Sequence, residues 1–179
     1  MRVKLITGPM FSGKSSYLVS VYDERTLAFK PIIDDRYVKE CITTHDKKII
    51  PSLRVKRMME ERNENIILER LKVENNFKII IDEIQFIEDV DKFIEFLERN
   101  NYKGELIMSG LNGDFMRKSF NNFSKVIPYV NSIVMLNGRC SKCDGESIFT
   151  FRKSSDKSQV LVGSDDHYYP LCRKCFTTE

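Results

Sequence analysis

The segment GPMFSGKS near the start of the chain, residues 8–15, constrains the fold more than any other feature of the sequence. Its spacing, Gly-x4-Gly-Lys-Ser, is that of a loop that binds nucleoside triphosphates, and such a loop joins a β-strand to an α-helix. Residues 3–7 form an apolar run suited to the strand, and residues 17–22 carry apolar side chains at helical spacing. We therefore expect an α/β fold that binds phosphate at the N-terminus of its first helix.

The rest of the N-terminal region alternates between predicted strands and predicted helices. Three apolar runs are typical of buried strands, at residues 78–82, 105–111 and 132–136, and residues 87–97 have the periodicity of an amphipathic helix. The polar stretch at residues 56–76 is predicted to be helical as well. This alternation predicts a doubly wound parallel sheet of the P-loop NTPase type.

Five cysteines occur in the chain, and four of them form two Cys-x-x-Cys pairs. The pairs have the spacing of a tetrahedral zinc site with four thiolate ligands: Cys140, Cys143, Cys172 and Cys175. Because four thiolates leave no open coordination position, the zinc is expected to be structural. Two redox-active pairs are the alternative interpretation, and Cys41 is interpreted as an inert thiol.

The segment between the cysteine pairs differs in character from the rest of the chain. Residues 147–152 and 159–163 have the composition of short strands, and residues 154–158 between them favour a turn. We therefore expect a P-loop α/β domain over residues 1–138 and a small zinc-ribbon-like domain over residues 139–179.

Net charge and hydropathy limit the kinds of partner that the chain is expected to bind. The 179 residues carry a formal net charge of only +3, which gives no general electrostatic reason to bind nucleic acid or an anionic membrane surface. No apolar run approaches the roughly 20 residues of a membrane-spanning helix, and the apolar part of the N-terminal segment is too short for a signal peptide. We expect a cytoplasmic protein without nucleic acid or membrane partners.

The acidic pair Asp82-Glu83 lies at the end of the predicted strand at residues 78–82. Asp82 is expected to contact Mg²⁺ together with the Ser15 hydroxyl, and the Lys14 ammonium is expected to reach the β- and γ-phosphate oxygens of ATP. A second carboxylate beside the metal-contacting one can accept a proton from an attacking hydroxyl or water, which favours Glu83 as a general base. These residues predict phosphate chemistry without identifying the acceptor.

Four aromatic residues lie where an α/β sheet binds its ligands. Phe115 and Phe120 follow the predicted strand at residues 105–111, Phe86 follows the acidic pair, and Tyr168 lies in the segment closed by the second cysteine pair. Together, these rings can frame a flat aromatic slot.

The motifs GPMFSGKS, DDRY, DEIQF, GLNGDFMRKSF, Cys-x-x-Cys and GSDDHYYPLCRKC occur in this order, and the chain resembles the type II, zinc-containing thymidine kinases over residues 3–176. The resemblance implies transfer of the ATP γ-phosphate to the 5′-hydroxyl of thymidine, and of deoxyuridine, in nucleotide salvage for DNA synthesis. It also implies a homotetramer and feedback inhibition by dTTP.

The resemblance further implies roles for individual residues. Lys14, Glu83 and Arg36 would be catalytic, with Arg36 neutralising charge beside Asp34 near the transferring phosphate. The implied ATP-binding set, with Mg²⁺ at Ser15 and Asp82, is Gly8, Pro9, Met10, Phe11, Ser12, Gly13, Lys14, Ser15, Asp82 and Gln85. The implied nucleoside-binding set, whose last six members lie on a loop called the lasso (residues 144–171), is Met10, Phe86, Leu111, Phe115, Phe120, Thr150, Leu161, Val162, Gly163, Ser164 and Tyr168.

The chain departs from the family pattern at several positions. Ile84 is larger than the residue usual in DE-x-QF, Asn112 replaces a common Asp, and Ser164 replaces a common Gly. The stretch between the phosphate loop and DDRY is shortened. None of these changes removes a catalytic group.

Two other functions are compatible with parts of the pattern. A nucleic-acid-dependent ATPase with a zinc ribbon shares the phosphate loop, Asp82-Glu83 and the zinc site, but such an enzyme requires a basic stripe for its substrate. A non-catalytic nucleotide-binding module, whose zinc lobe docks a partner, has no use for Glu83.

Overall fold

A six-stranded parallel sheet forms the centre of the protein in a computed structural model that describes residues 1–34, 40–44, 47–163 and 165–179. Six of the strands in the described residues build this sheet, and the others form small two-stranded sheets. In chain order the strands are β1 (Arg2–Gly8), β2 (Leu27–Pro31), β3 (Cys41–Thr43), β4 (Ile49–Pro51), β5 (Leu53–Val55), β6 (Lys78–Ile81), β7 (Glu105–Leu111), β8 (Ser132–Met135), β9 (Gly138–Arg139), β10 (Glu146–Ser147), β11 (Phe149–Arg152) and β12 (Tyr168–Leu171). The helices are α1 (Lys14–Val21), α2 (Glu61–Val73), α3 (Val90–Arg99), α4 (Asn121–Val126) and α5 (Arg173–Phe176), with 3₁₀ turns at Ile84–Phe86 and Ile127–Tyr129. The strand order in the sheet is β5-β2-β6-β7-β1-β8, which confirms the predicted parallel α/β architecture.

Both faces of the sheet are buried, as the continuous apolar runs predict. Successive residues of a strand point to opposite faces, so Ile79 and Ile81 pack into one core while Ile80 packs into the other. The first core is covered by α3, whose Phe93 and Leu97 are fully buried. The second core is covered by α1 through residues such as Leu18.

The order of the three central strands decides where the polar motifs meet. Because β6, β7 and β1 are neighbours and run parallel, their carboxyl ends lie at one edge of the sheet. The phosphate loop follows β1, Asp82 follows β6, and the segment that carries Phe115 follows β7. The topology therefore brings the motifs together, as expected at this edge of an α/β sheet.

The C-terminal region contains two short antiparallel pairs, β9 with β10 and β11 with β12. The prediction of a strand at residues 159–163 is wrong, because the partner of β11 is Tyr168–Leu171. The reason lies in the hydrogen bonds: the carbonyl of Gln159 accepts from the Arg152 side chain instead of a neighbouring strand. The structure thus leaves most of the lasso as an irregular loop anchored on a small sheet.

Among the described residues, no helix is both long and apolar enough to cross a membrane.

Candidate active site

The phosphate loop turns sharply between β1 and α1, and its glycines allow the turn. Gly8 has φ 156°, and a Cβ atom there would lie 2.2 Å from the carbonyl oxygen of Leu136. Gly13 precedes the first turn of α1 with φ 86°, and the α-helix begins at Lys14. The Ser12 hydroxyl is buried and has no hydrogen-bond partner among the described residues. Such a turn presents backbone N–H groups and a buried hydroxyl to an anion.

Lys14 is folded back against the loop that precedes it. Its side chain is buried, and Nζ donates to the carbonyl oxygens of Pro9 at 2.7 Å and Gly8 at 3.3 Å. These contacts place a cation beside the loop N–H groups, which is the arrangement that favours a bound phosphate chain.

Asp82 and Ser15 meet where the loop approaches the end of β6. The Ser15 hydroxyl donates to Asp82 Oδ2 at 3.3 Å, and the other carboxylate oxygen accepts from Glu83 N at 3.0 Å and from the Ser109 hydroxyl. Asp82 is buried at 3% exposure. A hydroxyl and a carboxylate oxygen this close fit the oxygen ligands that Mg²⁺ prefers.

Glu83 is held in an uncommon backbone conformation, with φ 51°, and its side chain is buried. Gln85 Nε2 donates to Glu83 Oε2 at 2.6 Å, while Gln85 Oε1 accepts from the backbone N–H of Leu111 at 3.1 Å. Gly110 leaves room for this amide, because a Cβ atom there would lie 3.0 Å from Gln85 Oε1. Gln85, predicted from the resemblance as an ATP-binding residue, thus contacts the candidate base directly.

A cleft opens beside Glu83, between the carboxyl ends of the strands and the lasso. All of the predicted nucleoside-binding residues that the structure describes line it: Met10, Phe86, Leu111, Phe115, Phe120, Thr150, Leu161, Val162, Gly163 and Tyr168. Ser164 and Arg36 lie outside the described residues, as do the other members of DDRY after Asp34. Asp34 lines the same cleft as Glu83.

The cleft walls are tied to the phosphate loop and to one another. The Thr150 hydroxyl accepts from the backbone N–H of Met10 at 2.9 Å, which joins the lasso sheet to the phosphate loop. Phe86 and Phe120 meet edge to face, with ring centroids 6.2 Å apart. Asn112, one of the departures from the family pattern, donates to the Ile148 carbonyl at 3.0 Å and so links β7 to the lasso without a charge.

Three polar residues that line the cleft were missed by sequence reasoning: Asp114, Arg152 and Gln159. Asp114 Oδ2 accepts from Gln159 Nε2 at 3.0 Å, which closes the lasso onto the segment after β7. Arg152 stands two residues after Thr150 in β11, so both side chains project from the same face of that strand. That alternation in FTFR is the signal from which Arg152 could have been predicted.

The four predicted zinc ligands form one cluster. The sulfur atoms of Cys140, Cys143, Cys172 and Cys175 all lie within 4.8 Å of one another. Cys143 Sγ is 3.7 Å from both Cys172 Sγ and Cys175 Sγ. A tetrahedron with Zn–S bonds of about 2.3 Å requires S–S separations of about 3.8 Å. The cluster therefore fits a structural zinc site and does not favour two separate redox pairs.

Backbone N–H groups favour the thiolate form of Cys140, one of the four sulfurs of the predicted zinc site. Burial raises the pKa of the Cys140 thiol, but hydrogen bonds from the backbone of Cys172, Lys142 and Cys143 outweigh burial and lower it to about 6. The backbone N–H of Cys175 points at Cys172 Sγ, 3.4 Å away. These donors stabilise negative charge on sulfur.

Together, the glycine loop at a helix N-terminus, the strand-end Asp-Glu pair and the parallel sheet define a nucleotide-binding protein of the P-loop class, with an added cysteine-cluster lobe.

A model of the thymidine kinase family matches residues 1–176. A thymidine kinase of Amsacta moorei entomopoxvirus is 34% identical over 185 residues, covering 98% of both chains. Thymidine kinase a of Arabidopsis thaliana is 35% identical, covering 98% of this chain and 75% of the plant protein. A thymidine kinase of Mesomycoplasma hyopneumoniae is 34% identical, covering 97% of this chain and 94% of its own.

The chain belongs to the thymidine kinase family. This result confirms the resemblance drawn from the ordered motifs. It does not favour the nucleic-acid-dependent ATPase.

The cysteine cluster generates a testable prediction. Replacing Cys172 with Ser removes one thiolate, so we expect zinc content to fall well below about one ion per chain and the lasso to loosen, because metal binding is coupled to folding. Cys41→Ser is the matched control, since Cys41 lies in β3 and is not a member of the cluster. Metal analysis of both purified variants makes the measurement. Full zinc content in Cys172→Ser, or active wild-type protein without zinc, would contradict the assignment.

Proposed function

We propose that this protein transfers the γ-phosphate of ATP to the 5′-hydroxyl of thymidine, and of deoxyuridine, to give the nucleoside monophosphate. The observation that carries the proposal is that Glu83 lines the same cleft as the predicted nucleoside-binding residues while its neighbour Asp82 contacts Ser15 of the phosphate loop. Membership of the thymidine kinase family supports ATP and thymidine as the two substrates.

The phosphate loop is proposed to bind the triphosphate chain through residues 8–15. Lys14 neutralises charge on the β- and γ-phosphates, and Ser15 and Asp82 would hold the metal. Magnesium held by these two residues would supply positive charge that offsets the charge of the transferring phosphoryl group. We propose that this arrangement aligns the γ-phosphate with the cleft beside Glu83.

Glu83 is proposed to act as the general base. Its carboxylate accepts the 5′-hydroxyl proton as the nucleoside oxygen bonds to the γ-phosphorus and the bond from that phosphorus to the leaving ADP oxygen breaks. The hydrogen bond from Gln85 keeps the Glu83 carboxylate in one orientation, which supports this role. Asp34 lies at the same cleft, and Arg36 remains a catalytic residue predicted from the family resemblance alone.

The lasso is proposed to select a pyrimidine base. Leu161, Val162 and Gly163 line the cleft, and their peptide groups are proposed to pair with the hydrogen-bonding edge of a pyrimidine. A purine is too large for that position and would leave these groups unpaired, at a cost of about 1–3 kcal/mol for each. Met10, Leu111 and Thr150 would surround the 5-methyl group of thymine.

Further properties follow from the family resemblance. We propose that zinc is structural, that the enzyme assembles as a homotetramer, and that dTTP inhibits it by occupying the nucleoside cleft. We also propose a cytoplasmic role in nucleotide salvage, with no nucleic acid or membrane partner.

Replacing Glu83 with Gln tests the proposed base. The amide has the same size and its oxygen can still accept the Gln85 hydrogen bond, but it cannot take a proton. We expect kcat to fall by about 100- to 10,000-fold while thymidine affinity is nearly unchanged. Exposed Glu88 provides the control, as Glu88→Gln changes a nearby carboxylate outside the cleft. Steady-state kinetics measure kcat, and calorimetry measures the affinity for thymidine. An unchanged kcat in Glu83→Gln would exclude Glu83 as the general base.

A panel of deoxynucleosides tests the selection of the base. Thymidine and deoxyuridine should be phosphorylated, and deoxyadenosine and deoxyguanosine should not. Phe115→Ala should weaken thymidine binding by about 5- to 150-fold, because base–aromatic stacking contributes about 1–3 kcal/mol. Asp166→Ala is the control, since Asp166 is exposed and does not line the cleft. Efficient phosphorylation of purines would refute the account of the lasso.

A further inference from the structure

Arg152, at the end of β11, is a charged residue with only 4% of its surface exposed. Burying a guanidinium is strongly unfavourable unless hydrogen bonds compensate it. No step of the proposed phosphoryl transfer uses this residue, although it lines the cleft. The contacts of its side chain therefore indicate what the buried charge does.

One set of contacts holds the lasso. Nη1 donates to the carbonyl oxygens of Asp156, at 3.1 Å, and Ser158, and Nη2 donates to the carbonyl oxygen of Gln159 at 3.2 Å. Nη2 also donates to the Tyr168 hydroxyl at 2.8 Å, which in turn donates to the Leu161 carbonyl at 2.7 Å. These bonds replace the strand ladder that residues 156–161 do not form. One side chain thus determines the path of the lasso backbone where it enters the cleft.

A second contact supports the opposite wall of the cleft. The guanidinium carbon of Arg152 lies 3.8 Å from the ring centroid of Phe115, close enough for cation–π stacking. Phe115 belongs to the segment after β7, whereas the lasso belongs to the C-terminal region. Arg152 is therefore in contact with both walls between which the base is proposed to lie.

We propose that Arg152 is a positioning residue that couples the two walls of the nucleoside cleft, so that the Phe115 ring and the lasso peptide groups keep a fixed separation. This inference rests on the proposed function for the identity of the ligand. A guanidinium suits the task because its planar fork donates to several carbonyls while its face stacks on an aromatic ring. A lysine ammonium has fewer donors and no flat face, so it cannot make both contacts at once.

Hydrogen exchange tests the positioning role without any ligand. In Arg152→Lys, the backbone amide of Ser158, which donates to Asp156 Oδ1 at 2.7 Å, should exchange about tenfold faster or more than in the wild type, because the Asp156 and Ser158 carbonyls lose their anchor. Amides of β7 serve as the internal reference and should be unchanged. Arg139→Lys is the matched control, since Arg139 belongs to the same C-terminal region but its side chain is 81% exposed. Unchanged exchange of the Ser158 amide would overturn the proposal even if the enzyme phosphorylates thymidine as proposed.

Kinetics then connect the positioning role to selectivity. The thymidine KM of zinc-loaded Arg152→Lys should rise by about tenfold or more, while the KM for ATP and kcat at saturating thymidine change little. In Arg152→Ala, added methylguanidinium should lower the thymidine KM again, an effect absent from Arg139→Ala. An unchanged thymidine KM, an equal rise in both KM values, or failure of methylguanidinium to rescue would overturn the proposal. Wild-type protein that does not phosphorylate thymidine would instead refute the proposed function and leave the exchange result to decide the role of Arg152.

Discussion

The site depends on the parallel pairing of β1 with β7 and of β7 with β6. This pairing sets Gly8 opposite Leu111, and it brings the Ser109 hydroxyl of β7 to the Asp82 carboxylate beyond β6. Because parallel strands end at a common edge, the phosphate loop and the acidic pair are placed together by backbone hydrogen bonds rather than by flexible side chains. A one-residue slip of either pairing would turn the strand's side chains to the opposite face and separate the loop from the carboxylates.

The nucleoside cleft also depends on the attachment of the lasso to the carboxyl edge of the sheet. The cysteine cluster joins the two ends of residues 144–171, and the Thr150 hydroxyl binds the backbone of Met10 in the phosphate loop. A loop that is anchored before its ligand arrives loses less conformational entropy on binding. The proposed selection of a pyrimidine and the proposed alignment of its 5′-hydroxyl with the phosphate thus have a common structural origin.

Much of this arrangement could be predicted from the sequence, and the exceptions have physical reasons. Buried strands such as residues 78–82 and 105–111 are continuous apolar runs, and the helix with Phe93 and Leu97 has a clear amphipathic period, so both patterns report burial directly. The expected strand at residues 159–163 failed because composition cannot show that a side chain, Arg152, will take the carbonyls that a ladder would use. Gln85 was predicted only through the family resemblance. Its contacts with Glu83 and Leu111 arise from a 3₁₀ turn that no local sequence pattern predicts.

The cleft beside Glu83 is proposed to hold the acceptor of the phosphate, a pyrimidine deoxynucleoside. The most direct measurement quantifies ADP and dTMP by chromatography after the protein is mixed with ATP, Mg²⁺ and either thymidine or DNA. We expect equal amounts of ADP and dTMP with thymidine, and no increase in ADP when DNA replaces it. ADP production that depends on DNA, or thymidine that leaves ATP unconsumed, would contradict the account.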